Sequence, residues 1–255
     1  MRYLIYRISS NSLEKKRIDK FSKVELLSDT LAKFTGFYPI VIADNCSDEI
    51  LEKIPSFNVE FLVTKLGNSR SMLFAIKHVL GIANPGDIIY FCEDDYWHEN
   101  ELSKYIDEGL MKFDYITLFD HPDKYMEFTD YHSPTRNGAF SEWTQVVRSA
   151  YLPRWWRLTG STTMTFAANY NALKEDAWIF EFFLKRREIP PDMLIWHGIT
   201  RARYKTNDFR ARFRLFLATK LLSLGRKRKT LATLVPSGAA HLEPRAIPIG
   251  FRIPD

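Results

Sequence analysis

Cysteine is almost missing from this chain: Cys46 and Cys92 are the only two in 255 residues, with neither a CxxC spacing nor a histidine partner. That excludes a disulfide framework and a cysteine zinc site, and both thiols are expected to be reduced. Long hydrophobic runs are missing too. No apolar stretch approaches the ~20 residues that span a bilayer. The opening Met-Arg-Tyr-Leu-Ile-Tyr-Arg holds only four apolar residues between its arginines, too few for a signal peptide. A cytoplasmic start is expected. No G-x-G-x-x-G or G-x-x-x-x-G-K-[ST] occurs, which argues against a dinucleotide oxidoreductase or a P-loop enzyme. Disorder is not indicated, because a hydrophobic fraction of 45% with 26% charged residues is that of a globular chain. The length allows one large α/β domain, or a domain with an appended segment.

What is present is an alternation of strand and helix signals. Residues 3–8 read as a strand. Ile18, Phe21, Val24, Leu27, Leu31 and Phe34 then recur at helical spacing, with Asn11 and Glu14 at capping-box distance and Gly36 as the stop. Residues 39–43 and 59–63 are further apolar strands, separated by a short helix over 47–54. Asn68 or Ser69 caps a helix carrying Met72, Leu73, Ile76, Val79 and Leu80, and Gly81 ends it. After the turn signal Asn84-Pro85-Gly86, the unbroken run 88–92 is a strand buried on both faces. The pattern means a parallel sheet covered by helices on both sides. Beyond it, 101–111, 171–186 and a run from Asp192 read as helices, and 115–119 and 161–166 as strands.

Strand 88–92 delivers Glu93, Asp94 and Asp95 to the carboxyl edge of the sheet, where open α/β sheets bind ligands. Like charges in sequence repel one another unless a cation or hydrogen-bond donors neutralise them. Hard oxygen ligands select Mg²⁺ or Mn²⁺, which complete their shell with water and phosphate oxygens. The alternative is a solvated loop with acids suited to the positive end of the next helix. Asp44 follows the second strand to the same edge, placed either to accept hydrogen bonds from a ribose or base or to form a local cap or Asx-turn. Arg70 opposes the dipole in the first turn of its helix, where it either meets a bound anion such as a phosphate or is simply a solvated cation. Residues 120–157 break the rhythm with aromatic rings among arginines. Rings such as Trp143 stack on sugar faces and forks such as Arg154 grip phosphate, or else the segment is an antiparallel hairpin packed on the sheet. Asp192, after Pro190 and Pro191, stands at a helix start.

The strand ending in Glu-Asp-Asp resembles the metal-binding Asp-x-Asp motif of GT-A fold glycosyltransferases. The resemblance implies a GT-A type, Rossmann-like, mostly parallel sheet flanked by helices. It gives Asp95 the metal bridging the donor diphosphate, puts Glu93 and Asp94 nearer the sugar and ribose, and sets Asp44, Arg70 and Arg7 on the donor side. The stretch around Asp192 resembles family 2 type enzymes, whose Glu-Asp pair opens a helix with its second acid as base; here Pro191 stands in place of the Glu. Residues 236–243 look like the C-terminal return of a histidine to the metal, making His241 a ligand in preference to His197. The implied activity is metal-dependent transfer from a nucleotide-diphosphate sugar, UDP first, to a glycan or lipid-linked hydroxyl, with inversion. Residues 1–200 would form the catalytic domain, 1–119 binding donor and 120–200 acceptor. A sugar nucleotidyltransferase is the alternative enzyme, although residues 9–12 are not its glycine-rich phosphate loop. A basic nucleic-acid-binding module would leave the three acids without a use.

The net charge of +5 is local. Between residues 201 and 229 basic side chains crowd with only Asp208 against them, while Phe209, Phe213, Phe216, Leu217 and Leu221 recur at helical spacing. Residues 201–255 are therefore expected to form a basic C-terminal helix and tail. That helix either lies on the anionic inner face of a membrane or packs on the catalytic domain, and residues 226–229 could close over the donor diphosphate.

Overall fold

The N-terminal strand sets the frame. In β1 (Arg2–Ile8) alternate side chains leave on opposite faces, so Tyr3 and Ile5 enter one core while Leu4, Tyr6 and Ile8 enter the other. A strand apolar on both faces must be covered on both, at ~1.5–3 kcal/mol for each large side chain buried. The computed structural model describes residues 1–10, 18, 20–122, 146–151, 153–201 and 227–253. Their sheet has nine strands, in the order β3 (Glu60–Thr64), β2 (Tyr38–Asp44), β1, β4 (Ile88–Glu93), β9 (Phe166–Asn169), β6 (Tyr115–Thr117), β10 (Leu231–Val235), β8 (Trp155–Leu158), β7 (Val146–Arg148). The first four are parallel, and β9 and β8 run against the rest. Helices α3 (Asn68–Ile82), α5 (Tyr170–Leu184) and α6 (Asp192–Thr200) cover one face. Helices α1 (Lys23–Lys33), α2 (Asp48–Lys53) and α4 (Ser103–Lys112) cover the other. A small antiparallel pair, β5 (Tyr96–His98) with β11 (Ala239–His241), stands beside the sheet.

This is the α/β class that the alternation predicts, with four differences. Helix α1 begins at Lys23 with a capping box between Ser22 and Glu25, whereas the Asn11 to Glu14 signal falls outside the described residues. Gly67, not Asn68 or Ser69, is the cap of α3, since its φ of +83° suits glycine alone. The strand expected over 161–166 starts at Phe166, because hydroxyls of the threonine run bond locally: Thr165 N–H donates to Thr163 Oγ1 at 3.3 Å. The tail is no appendage to the sheet. β10 lies between β6 and β8 with four of its five residues buried, so the apolar run 231–235 is interior. Its N-terminal flank corrects a further expectation: Lys229 Nζ pairs with Glu175 at 2.6 Å and stands at the start of β10, at the sheet edge opposite the acids. It therefore does not close over a diphosphate beside them. The proposed basic helix lies outside the described residues over 202–226.

Helix α4 approaches the sheet through Gly109, where a Cβ would come within 2.8 Å of Ile116 and Trp156. The residue before Gly109, Glu108, is buried and accepts from Lys112 (2.6 Å), Ser149 Oγ (2.6 Å), Ala150 N–H (2.7 Å) and Trp156 Nε1 (3.1 Å). Burial pushes its carboxyl up, but these bonds outweigh it and hold the pKa at about 2. Removing one partner of a buried charged network costs ~3–5 kcal/mol. Glu108→Ala should accordingly melt about 6–20 °C lower, taking ~2–4 °C per kcal/mol for a domain of this size. A change of less than a degree or two would show the network to be solvated.

His98 is fully buried against Phe34, its Nε2 2.6 Å from the Tyr90 hydroxyl. Burial, with the nearby Lys33 charge, lowers its pKa from 6.5 to about 3. Between those values the unfolded chain binds a proton that the folded chain refuses, so stability falls as pH drops from 6.5 toward 3, by ~1.4 kcal/mol per pH unit. From pH 7.5 to pH 5 the loss from His98 is therefore about 2 kcal/mol. Denaturant midpoints of wild type and His98→Gln at both values check this: the variant should lose most of the acid sensitivity.

Candidate active site

Glu93 ends β4 beside β1 with Asp94 and Asp95 just past it, and each of the three meets a different basic side chain. Register sets Glu93 opposite Arg7, and Glu93 Oε1 lies 3.5 Å from Arg7 Nη1. Asp94 is buried and accepts from the Ser9 N–H and Lys23 Nζ, both at 2.8 Å, which ties down the segment after β1. Asp95 Oδ2 is 3.0 Å from His241 Nε2. The mutual repulsion of consecutive carboxylates is thus relieved one residue at a time. Burial raises the pKa of both Glu93 and Asp94, and Asp95 raises each further while Arg7 and Lys23 respectively oppose the rise.

His241 arrives from 146 residues away because β11 pairs with β5, setting His241 opposite Tyr96. The two rings stack at 4.9 Å and 10°, and the Leu242 N–H donates to the Asp95 carbonyl at 2.8 Å. Burial alone would lower the imidazole pKa, but the Asp95 charge and hydrogen bond raise it above the ordinary value. Tyr96 is the centre of the cluster. Its buried hydroxyl donates to Thr163 Oγ1 at 2.8 Å, and its pKa is pushed well up by burial, then by Glu93 and Asp95, and also by Asp192. The Asp192 charge thus reaches the same phenol. Asp192 is the first residue of α6, Pro191 is the cap, and no side-chain capping bond is made there. Trp196, one turn on, donates its Nε1 to the Thr163 carbonyl at 3.2 Å.

The other expected site residues have different surroundings. Arg7 is buried in β1, its Nη2 donating to the Asn68 carbonyl (2.8 Å), Asn68 Oδ1 (2.5 Å) and Ser71 Oγ (3.2 Å). It positions the start of α3 and Glu93. Asp44 is buried and spends its carboxylate on Thr64 Oγ1 (2.8 Å), Leu66 N–H (2.6 Å), Gly67 N–H (2.9 Å) and Asn45 Nδ2 (3.0 Å). Four donors fill the lone pairs of a carboxylate. Asp44 thus shapes the loop before α3, while the cap of α2 is Ser47. Arg70 is exposed in the first turn of α3. Arg154 pairs with Glu99 and lies 5.1 Å over the Tyr105 ring, which ties the strand pair β7–β8 to the start of α4. Trp143 lies outside the described residues. His197 is buried on α6. Sequence reasoning missed Lys23, Tyr96 and Thr163; only Tyr96, one residue past the acids, carried a signal.

Among the described residues, no three His, Cys, Asp or Glu side chains group as a ready metal cage. Asp95 and His241 are a pair of side chains that could hold a cation of the kind that usually takes one or two carboxylates and completes its shell with substrate phosphates and water.

No protein-family model and no curated protein matches the chain. Solved structures do. The chain is similar to S. aureus TarS 1–349 (13% identity, TM-score 0.41), with 91% of this chain and 60% of that one covered. It is also similar to 4-diphosphocytidyl-2C-methyl-D-erythritol synthase from Anaerococcus prevotii (11%, TM-score 0.44), with 93% and 89% covered. A third likeness is to glucosyl-3-phosphoglycerate synthase from Mycobacterium tuberculosis in complex with Mg²⁺ and uridine diphosphate (8%, TM-score 0.40), with 73% and 66% covered. These are likenesses of architecture.

Proposed function

We propose that the protein is a metal-dependent glycosyltransferase that moves a sugar from a nucleotide-diphosphate donor, UDP-sugars first, to a hydroxyl of a glycan or lipid-linked acceptor. One observation carries the reading: Asp95 and His241, 146 residues apart, meet beside Tyr96 at the carboxyl edge of a parallel sheet, and the Asp192 charge acts on the same phenol. Asp95 and His241 would hold Mn²⁺ or Mg²⁺, with Glu93 close by. A carboxylate beside an imidazole fits Mn²⁺, and the few protein ligands fit a cation that also binds the donor. When bound, the cation supplies charge neutralisation for the departing nucleoside diphosphate. Arg70, exposed at the positive end of α3, adds a cation on the donor side. Asp192 accepts the proton of the acceptor hydroxyl as it attacks the sugar from the face opposite the leaving group, which inverts the anomeric centre. Arg7 and Lys23 keep Glu93 and Asp94 in place while this happens.

A thermal-shift screen of UDP-, GDP- and CDP-sugars with and without Mn²⁺ tests this. A UDP-sugar should register only with metal. At 100 times its Kd a ligand adds ~2.7 kcal/mol, equivalent to roughly 5–10 °C here. A shift from a nucleoside triphosphate without a sugar would favour a nucleotidyltransferase, and no shift from any sugar nucleotide would end the reading.

A further inference from the structure

We propose that the rim formed by residues 65–67 and 185–190 is a docking surface for an anionic lipid bilayer. The two segments meet at the carboxyl edge of the sheet, where the Ser69 N–H donates to the Glu188 carbonyl at 3.1 Å. Leu66 and Ile189 stand out from this rim, 40% and 53% exposed, and Phe182, in the last turn of α5 just before the second segment, is 43% exposed. Exposed cations separate them, Lys65 on one segment and Arg186 and Arg187 on the other. Arg186 lies 4.2 Å over the Phe182 ring, its Nη1 bonded to the Phe182 carbonyl at 2.5 Å, so ring and charge face outward together. Lys65 and Arg187 form no ion pair among the described residues. Glu181, the nearest helical acid, is already shared by Lys77 at 2.7 Å and Lys185 at 2.5 Å.

The spacing favours lipid over a folded partner. A protein interface needs a contiguous patch of about 800 Å² on each side, whereas single apolar side chains set among cations suit the boundary of headgroup and acyl chain. The cations select an anionic surface. Among the described residues no helix is long and apolar enough to cross a membrane, so contact by this rim would be peripheral. Ile189 is three residues before Asp192. If the transfer reading holds, a headgroup seated here lies beside the base; the lipid contact itself does not depend on that reading.

Co-sedimentation of the full chain with vesicles tests it, using phosphatidylcholine alone and mixed with phosphatidylglycerol. Binding to the mixed vesicles only, weakening as salt rises, is expected. Each arginine near an anionic surface is equivalent to about a fivefold change in binding. Arg186→Gln with Arg187→Gln should therefore bind about 25-fold more weakly, and Phe182→Ser with Ile189→Ser should also bind more weakly with its charge intact. Neither pair should alter the metal-dependent shift by a UDP-sugar, which separates failure here from failure of the transfer reading. Wild-type binding by both variants would place the contact elsewhere, residues 202–226 included, and would overturn the proposal. So would the absence of binding to mixed vesicles at low salt.

Discussion

Asp192→Asn is expected to keep the metal-dependent donor shift and to lower kcat by about 10²–10⁴-fold, the usual contribution of a general base. The helix start does not depend on this carboxylate. Pro191 is the cap, and its carbonyl receives the N–H of Leu194 at 2.9 Å and of Ile195 at 3.1 Å, so backbone bonds shape the first turn. Losing a negative charge at the positive end of α6 costs only ~0.3–1 kcal/mol. What the charge does beyond that is act on the same phenol as Glu93 and Asp95, as a base beside the proposed metal pair would. Asparagine keeps the shape and loses the ability to take a proton. Steady-state turnover and melting of the same preparation decide the matter. A variant that melts much lower yet keeps its rate per folded molecule would make Asp192 structural.

The sheet was legible because its strands are apolar on both faces, and two-sided burial leaves a continuous run that polar loops cannot imitate. β10 is just such a run, but the cationic segment ahead of it led the sequence reading to treat everything past residue 201 as tail. Strand order is a nonlocal property, and nothing local in residues 231–235 says that they insert between β6 and β8.

Site residues divide in a similar way. The edge position of Glu93, Asp94 and Asp95 follows from the strand that carries them, so the sequence reached it. What each acid touches does not follow. Asp44 and Asp95 both sit just past parallel strands, yet Asp44 collects four donors from its own surroundings while Asp95 faces an imidazole from the far end of the chain. Lys23 looked like any helical lysine, since only the return of the chain after β1 brings it to Asp94. His241 was reachable through family resemblance alone, because the pairing of β11 with β5 that positions it joins three residues to three.

Asp95→Asn is expected to abolish the metal-dependent UDP-sugar shift and to lower transfer by about 10²–10³-fold, the scale of removing one preorganised electrostatic group. The fold should survive. Asparagine is isosteric, the Asp95 carbonyl still receives the Leu242 N–H, and the stack of His241 on Tyr96 does not involve the carboxylate. Electrostatics then act on the imidazole as well. With the carboxylate gone, burial pulls the His241 pKa down unopposed by its main partner, so a loss of activity cannot be charged to a protonated histidine. His241→Ala separates the two ligands: if both hold the cation, each single variant weakens Mn²⁺ binding and the double variant loses less than the sum, as expected for residues that act as a unit. Mn²⁺ titration followed by turnover reads this directly. Wild-type turnover by Asp95→Asn in Mn²⁺ would remove the cation from this pair and leave Asp95 as the anchor that holds His241 against Tyr96.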